Sequence, residues 1–409
     1  MSASKSNEMI VLSTIVVILL GITTGMPAGS ATRDPAPITF NSPNAQPDGY
    51  FGFSVAVSGT SMVVGAPQEY ANGLFHAGHV YVFSTAGSLL ATLTSPNALV
   101  SGEFGWSVAV SGMNVVVGAP FETASGLLQA GHAYIFSSTG SLIATLTSPN
   151  AQTQGIFGYS VAVSGRSVIV GAPFENANGF LEAGHAYIFS TAGSLIANLT
   201  SPNAIVGGEV FGEFGWSVAV SGGSVVVGAP YDNAGVESQA GHAYIFSSTG
   251  SLIATLTSPN AQTGGRFGAS VAMSGRRVIV GAPWEAPNGQ FYVGHAYICT
   301  ATECPPTGTL TSPNAQTQGW FGNSVAISGM TGEVGAPYEG GPGLSVSGRT
   351  YTFSARSFLI NTLTSPNALP GEAFGFSIAV DGPSLVVGAL EGNPTGAGHA
   401  YLYATAFVR

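Results

Sequence analysis

The chain has 409 residues, of which only 7 % are charged, with nine basic residues against nineteen acidic and a net charge of −10. Lys5 is the only lysine, so the clustered cations that neutralise nucleic-acid phosphates are missing and a DNA or RNA partner is excluded. At 45 % hydrophobic residues the chain is no disordered polymer, and 58 glycines with 24 prolines point to a repetitive all-β protein rich in turns.

The N-terminus reads as a targeting segment. Ile10–Ile22 is an apolar run, and the small residues Ala28-Gly29-Ser30-Ala31 follow it. This is the secretory pattern, with cleavage before Thr32. The alternative is an uncleaved membrane anchor, because no charge lies between Met9 and Thr32. Residues 1–31 are thus assigned to a signal peptide or anchor and 32–409 to one domain. Either way the domain is exported, secreted or held at the cell surface.

The domain is one unit written seven times. Phe-Gly-x-Ser recurs at Phe51, Phe104, Phe157, Phe214, Phe267, Phe321 and Phe374, at intervals of 53 to 57 residues. Ser-Pro-Asn-Ala recurs at Ser42, Ser95, Ser148, Ser201, Ser258, Ser312 and Ser365. In the third unit four strands are predicted: Ser160–Ser164, Ser167–Ala172, Gly184–Phe189 and Leu195–Thr200. Both faces of these strands are apolar, as expected of small sheets covered on both sides. Seven four-stranded units predict an all-β, seven-bladed propeller of antiparallel blades. The last unit stops at Gly398–Tyr403 without a fourth strand, whereas Ile38-Thr39-Phe40 has no unit of its own. The N-terminal strand is therefore expected to complete the last blade and close the ring.

Three pieces recur in order: Phe-Gly-x-Ser-Val-Ala, Val-Val-Gly-Ala-Pro and Ala-Gly-x-x-Tyr-x-Phe. Together they resemble the FG-GAP repeat of integrin-α-like propellers, and more closely its calcium-free microbial variety, over residues 38–403. WD40 and kelch repeats fit less well, for want of a Trp-Asp dipeptide and a double glycine. Many FG-GAP repeats hold Ca²⁺ between strands one and two. Here that connection is only Gly112-Met113, Gly165-Arg166 or Gly222-Gly223, too short to supply six to eight oxygens. No metal and no cofactor is expected.

The connection between strands two and three carries an acid in every unit: Glu69, Glu122, Glu175, Asp232, Glu285, Glu339 and Glu391. An aromatic precedes it in five: Phe121, Phe174, Tyr231, Trp284 and Tyr338. The resemblance places this loop, with Ser-Pro-Asn-Ala, on a ligand-binding face. A ring of carboxylates beside aromatics would bind a cationic protein or a sugar. The competing reading is structural: each acid accepts backbone N–H bonds in its own loop. Sevenfold repetition favours the structural reading, since a unique site needs one copy.

Histidine opens strand three in six units, at His79, His132, His185, His242, His295 and His399, with Arg349 in the sixth. These are read as hydrogen-bonding ends of a packing stripe, because two ligands per blade are too few for zinc. The Asn of each Ser-Pro-Asn-Ala is read as bonding its own turn. Cys299 and Cys304, the only cysteines, are expected to clip one hairpin as a disulfide. Asn198 opens a sequon. Unit six breaks the pattern with Glu333 and Arg349 on neighbouring strands, an expected ion pair.

No catalytic motif is found. The expectation is a monomeric interaction or adhesion module whose partner is a protein or glycan at the cell surface, touching membrane only through an uncleaved N-terminal segment. The alternatives are an extracellular hydrolase or lyase acting on polysaccharide and a structural component of the cell envelope. Addition of millimolar Ca²⁺ is expected to leave the melting temperature unchanged; calorimetry showing a rise of several degrees, roughly 1 kcal/mol or more of stabilisation, would contradict the calcium-free reading.

Overall fold

Short β-branched runs punctuated by Gly and Pro can only make short strands, and strands apolar on both faces must be covered on both. The computed structural model describes residues 36–205, 211–303, 308–341, 346–390 and 396–404. Among these, seven four-stranded antiparallel sheets form, each in simple sequential order except the last. The third blade consists of Ser160–Ser164, Ser167–Ala172, His185–Ser190 and Leu195–Thr200. Its third strand starts one residue later than expected. Gly184 stands outside it at φ +81°, where an added Cβ would lie 2.1 Å from the carbonyl oxygen of Phe214 in the next blade.

The seventh sheet closes the ring as predicted. Ile38–Phe40 pairs antiparallel with His399–Ala404, matching Ile38 to Leu402, Thr39 to Tyr401 and Phe40 to Ala400. First strands of consecutive blades pack side by side, and Ser54–Ser58 of the first blade also meets Ser377–Asp381 of the seventh. These innermost strands surround an axial channel of about 220 Å³, lined by Val, Ile, Met and Ala side chains. Second and third strands are buried throughout, while fourth strands are largely exposed, as in Leu89–Leu93. Seven core clusters are each shared by two blades: in one, Ile169, Ile188 and Leu199 of the third pack against Val225, Val227, Tyr244 and Phe246 of the fourth.

The blades touch backbone to backbone. At Gly171, next to last in strand two of blade three, a Cβ would lie 2.0 Å from the carbonyl oxygen of Gly215 in blade four. Gly215 itself sits at φ +97° against the carbonyl oxygen of His185. Only glycine fits either position. The Gly215 carbonyl accepts a hydrogen bond from Ser160 at 2.7 Å. This serine bond recurs at all seven interfaces at 2.7–2.8 Å, ending with Ser377 donating to Gly52 of the first blade. The Phe-Gly-x-Ser and Gly-Ala-Pro motifs are thus the two halves of one joint.

Blade six deviates in its core. Glu333 takes the place filled by Ile169 or Ile279 and is fully buried. Its Oε2 accepts a hydrogen bond from Thr352 at 2.7 Å, and its Oε1 has no partner. The expected pairing with Arg349 does not occur. Arg349 lies opposite Ala336, three residues along, and donates to the carbonyl of Gly340. Burial pushes the Glu333 carboxyl up to about 8. The folded value exceeds the ordinary 4.5, so this group's contribution is fully present below that pH and lost as pH rises to the folded value. Glu333→Gln removes the titration. Denaturant unfolding of the variant is expected to show a flatter pH profile between 5 and 8 and higher stability at pH 8.5, by on the order of 4 kcal/mol; an unchanged profile would contradict this.

Candidate ligand-binding face

Strand direction places three segments at one end of every blade: the loop leaving strand four, the Phe-Gly entry to strand one and the loop from strand two to strand three. The tight turns occupy the other end. In the third repeat that turn is Gly165-Arg166, joining Ser164 to Ser167. Six of the seven predicted acids are among the described residues; they come from the first end and turn inward. Glu69, Glu122, Glu175, Glu285 and Glu339 are 0 % exposed and Asp232 is 2 % exposed. Their carboxylates do not front solvent. Glu391 lies outside the described residues.

Among the described residues, Glu69, Glu122, Glu175, Glu285 and Glu339 do not accept the backbone N–H bonds of their own loops. Each receives a tyrosine hydroxyl from strand three. Tyr81 donates to Glu69, Tyr134 to Glu122 and Tyr187 to Glu175, each at 2.5 Å. Tyr244 donates likewise to Asp232, Tyr297 to Glu285 and Tyr351 to Glu339. Burial and the adjacent carboxylate push Tyr81, Tyr134, Tyr187, Tyr297 and Tyr351 well above their usual range. The serine of the preceding Ser-Pro-Asn-Ala completes the network. Ser42 and Ser258 donate to Glu69 and Glu285. Ser148 donates to the Tyr187 hydroxyl at 3.1 Å. A residue leaving one blade is thereby pinned to the next.

The histidines join the same network. Nδ1 of His79, His132, His185 and His295 lies 3.1, 2.9, 3.1 and 2.7 Å from the blade's own carboxylate. Only His295 meets it in line for a hydrogen bond. The shorter Asp232 stays 3.8 Å from His242, and burial pushes that imidazole down to about 4. The asparagines do not close their own turns. Ser42 accepts the Asn44 N–H at 3.0 Å and closes the turn, while the amides of Asn97 and Asn260 reach Tyr134 and Tyr297 of the next blade at 3.0 Å.

The variable part of the repeat is half-buried at this end. The residue after Phe-Gly is Phe53, Trp106, Tyr159, Trp216, Ala269, Asn323 or Phe376. Its rings form an arc, with centroids 5.3 Å apart from Phe376 to Phe53, 4.7 Å to Trp106, 5.6 Å to Tyr159 and 4.8 Å to Trp216. The arc is interrupted at Ala269 and Asn323, where a cavity of about 140 Å³ opens beside Trp216, Tyr231, Arg266, Trp284 and Trp320. The loop aromatics flank the arc: Phe121 meets Trp106 edge-on at 5.2 Å, Phe174 lies 6.4 Å from Tyr159, and Tyr338 meets Trp320 at 4.7 Å.

Two features escaped sequence reasoning. In blade seven the inward acid is Glu372, which accepts from Ser365 at 2.5 Å and from Tyr401 at 3.1 Å. It precedes strand one instead of following strand two, so repeat alignment passes over it. The residue before Phe-Gly is left-handed in all seven blades, at φ 47–60° from Tyr50 to Ala373. That position varies freely in side chain, and its backbone shape left no signal in residue type. Asn198 is exposed on its outer strand. Cys299 is buried at a strand end, and Cys304 lies outside the described residues.

The profile described as FG-GAP repeat matches residues 42–83, 88–136, 141–189, 207–246, 251–299 and 359–403. The unmatched stretch 300–358 contains the first three strands of the aberrant sixth blade. Integrin alpha-7 of Rattus norvegicus is 27 % identical over 240 residues, covering 54 % of this chain and 20 % of the relative. Integrin alpha-7 of Homo sapiens is 26 % identical over 217 residues, covering 48 % and 18 %. The chain thus spans about a fifth of the length of these relatives. BamB from Moraxella catarrhalis, a solved structure, superposes with a TM-score of 0.44 at 11 % identity, covering 88 % of this chain and 84 % of that one.

Tyr187→Phe leaves one oxygen of the buried Glu175 without its donor and is expected to destabilise the protein by about 1–3 kcal/mol in denaturant unfolding. A change below about 0.5 kcal/mol would remove the hydroxyl network from the account of blade cohesion.

Proposed function

Since this chain belongs to the FG-GAP repeat family, we propose that it is an exported interaction module that binds a surface protein or glycan through the loop-bearing end of its propeller. One observation carries the reading. Across seven copies of one unit, residues where blades touch stay constant, and residues where the loop end meets solvent differ from blade to blade. Packing explains the first set. Nothing in the packing requires Phe53, Trp106, Tyr159, Trp216, Ala269, Asn323 and Phe376 to differ, and a run of half-buried aromatics at one end of a propeller suits a recognition surface. Likeness to integrin alpha chains supports a surface location and an adhesive role. The apolar N-terminal run supports export; it lies outside the described residues.

Glycoside cleavage requires two carboxyl groups facing the substrate, and the loop acids of six blades face inward. A lattice-forming envelope role draws only on the apolar pairs exposed on outer strands, such as Leu142-Ile143 and Leu252-Ile253.

The test is a combined glycan and surface-protein array probed with the purified protein. Saturable binding without chemical change of the captured ligand is expected. Release of reducing ends or unsaturated products from a bound glycan would overturn the reading in favour of an enzyme.

A further inference from the structure

The loop end is uniform in plan but breaks its symmetry once, across blades four to six. Three of the chain's four tryptophans gather there: Trp216, Trp284 and Trp320. The cavity of about 140 Å³ sits where Ala269 and Asn323 interrupt the aromatic arc. A second cleft of about 500 Å³ adjoins it, lined by Tyr292, Gln316, Gln318 and Tyr338, and the two share Trp320 as a wall. Trp284 stands 6.0 Å from Trp320 and 5.2 Å from Tyr292, so the rings run on from one cleft into the next.

Arg266 supplies the charge. Its guanidinium carbon lies 3.2 Å from the centre of the Tyr231 ring and 4.5 Å from that of Trp284. Its Nη2 donates to Gln239 at 3.4 Å. Its Nε and Nη1 are buried without an acceptor. Glu213 is near enough to act on this charge, yet no salt bridge joins them among the described residues. A cation held in a fixed plane by two rings at the wall of this cavity attracts a carboxylate that enters it.

We propose that these two clefts form one extended subsite for an anionic polysaccharide, with a uronate ring seated in the notch on Arg266 and the following sugar rings stacked along Trp320 and Tyr338. The inference rests on the binding reading above and names its ligand class. A cavity of this size takes one small ring, and the neighbouring cleft takes the next residues of a chain. The C–H face of a pyranose suits the negative face of an aromatic ring. The glutamine amides of the second cleft supply donors and acceptors for hydroxyls. An acidic peptide offers the same carboxylate but no pyranose face to stack along Trp320 and Tyr338.

The experiment titrates the full-length protein with hexagalacturonate, with a neutral galactose hexamer and with hexaglutamate, read by tryptophan fluorescence and isothermal titration calorimetry. Saturable binding of hexagalacturonate is expected, with the neutral hexamer and the peptide weaker by roughly tenfold or more. Arg266→Ala and Trp320→Ala are each expected to weaken it by roughly tenfold, and Trp320→Phe to recover most of the loss, with melting temperatures showing that all three variants fold. The proposal is overturned by absence of saturable binding, by equal affinity for either control ligand, or by folded variants that bind as the wild type does. If the array finds a ligand whose affinity both alanine variants leave unchanged, the binding role stands and this subsite falls.

Discussion

Everything in this molecule depends on how closely one blade can approach the next. The limit is set by a glycine carbonyl lying against a glycine Cα, as with Gly215 on Gly171, and by a serine hydroxyl that holds that carbonyl. Side chains cannot enter such a contact, so it repeats with the same geometry seven times. Seven equal joints then have to come full circle, and the seventh, Ser377 to Gly52, has the same length as the others. The buried Phe of each Phe-Gly packs beneath the joint against the strand-three tyrosine, as Phe157 does against Tyr187 at 5.7 Å.

A second lattice of hydroxyls lies above this one. Serine of one repeat, tyrosine and acid of the next form a chain that crosses every blade boundary, and histidine covers its end. Burying seven carboxyl groups near one rim is unfavourable unless each has donors. The repeat supplies these donors from three separate segments, so none of the acids is available as a free charge for binding.

Most of the fold was legible in residue order, because alternation, Gly and Pro act over a few residues. Ser160–Ser164, Ser167–Ala172 and Leu195–Thr200 begin and end where their composition says. The closing strand was legible because Ile38–Phe40 matched a piece missing at the other end. The site was harder to read. Glu175 looks like a loop acid because its neighbours in sequence are polar, whereas its partner Tyr187 lies twelve residues on and is itself held by Ser148 from the preceding blade. Glu333 and Arg349 look like a pair on adjacent strands, yet hairpin register sets them three residues apart. The notch at Ala269 and Asn323 is a matter of two small side chains, visible as an opening only when the rings beside them are placed.

The circle is cut inside a sheet and not between two sheets. Strand Ile38–Phe40 emerges first and finds its neighbour, His399–Ala404, only after the six preceding blades exist. Its hydrogen bonds therefore form late and close a loop of almost the whole domain. Until then the nascent array carries an open edge at each extremity, which invites chaperone contact or exchange between copies. Once made, the seam cannot part by simple separation of two apolar faces; it must unzip a ladder of backbone bonds, so the join lends the finished ring resistance to pulling at either terminus.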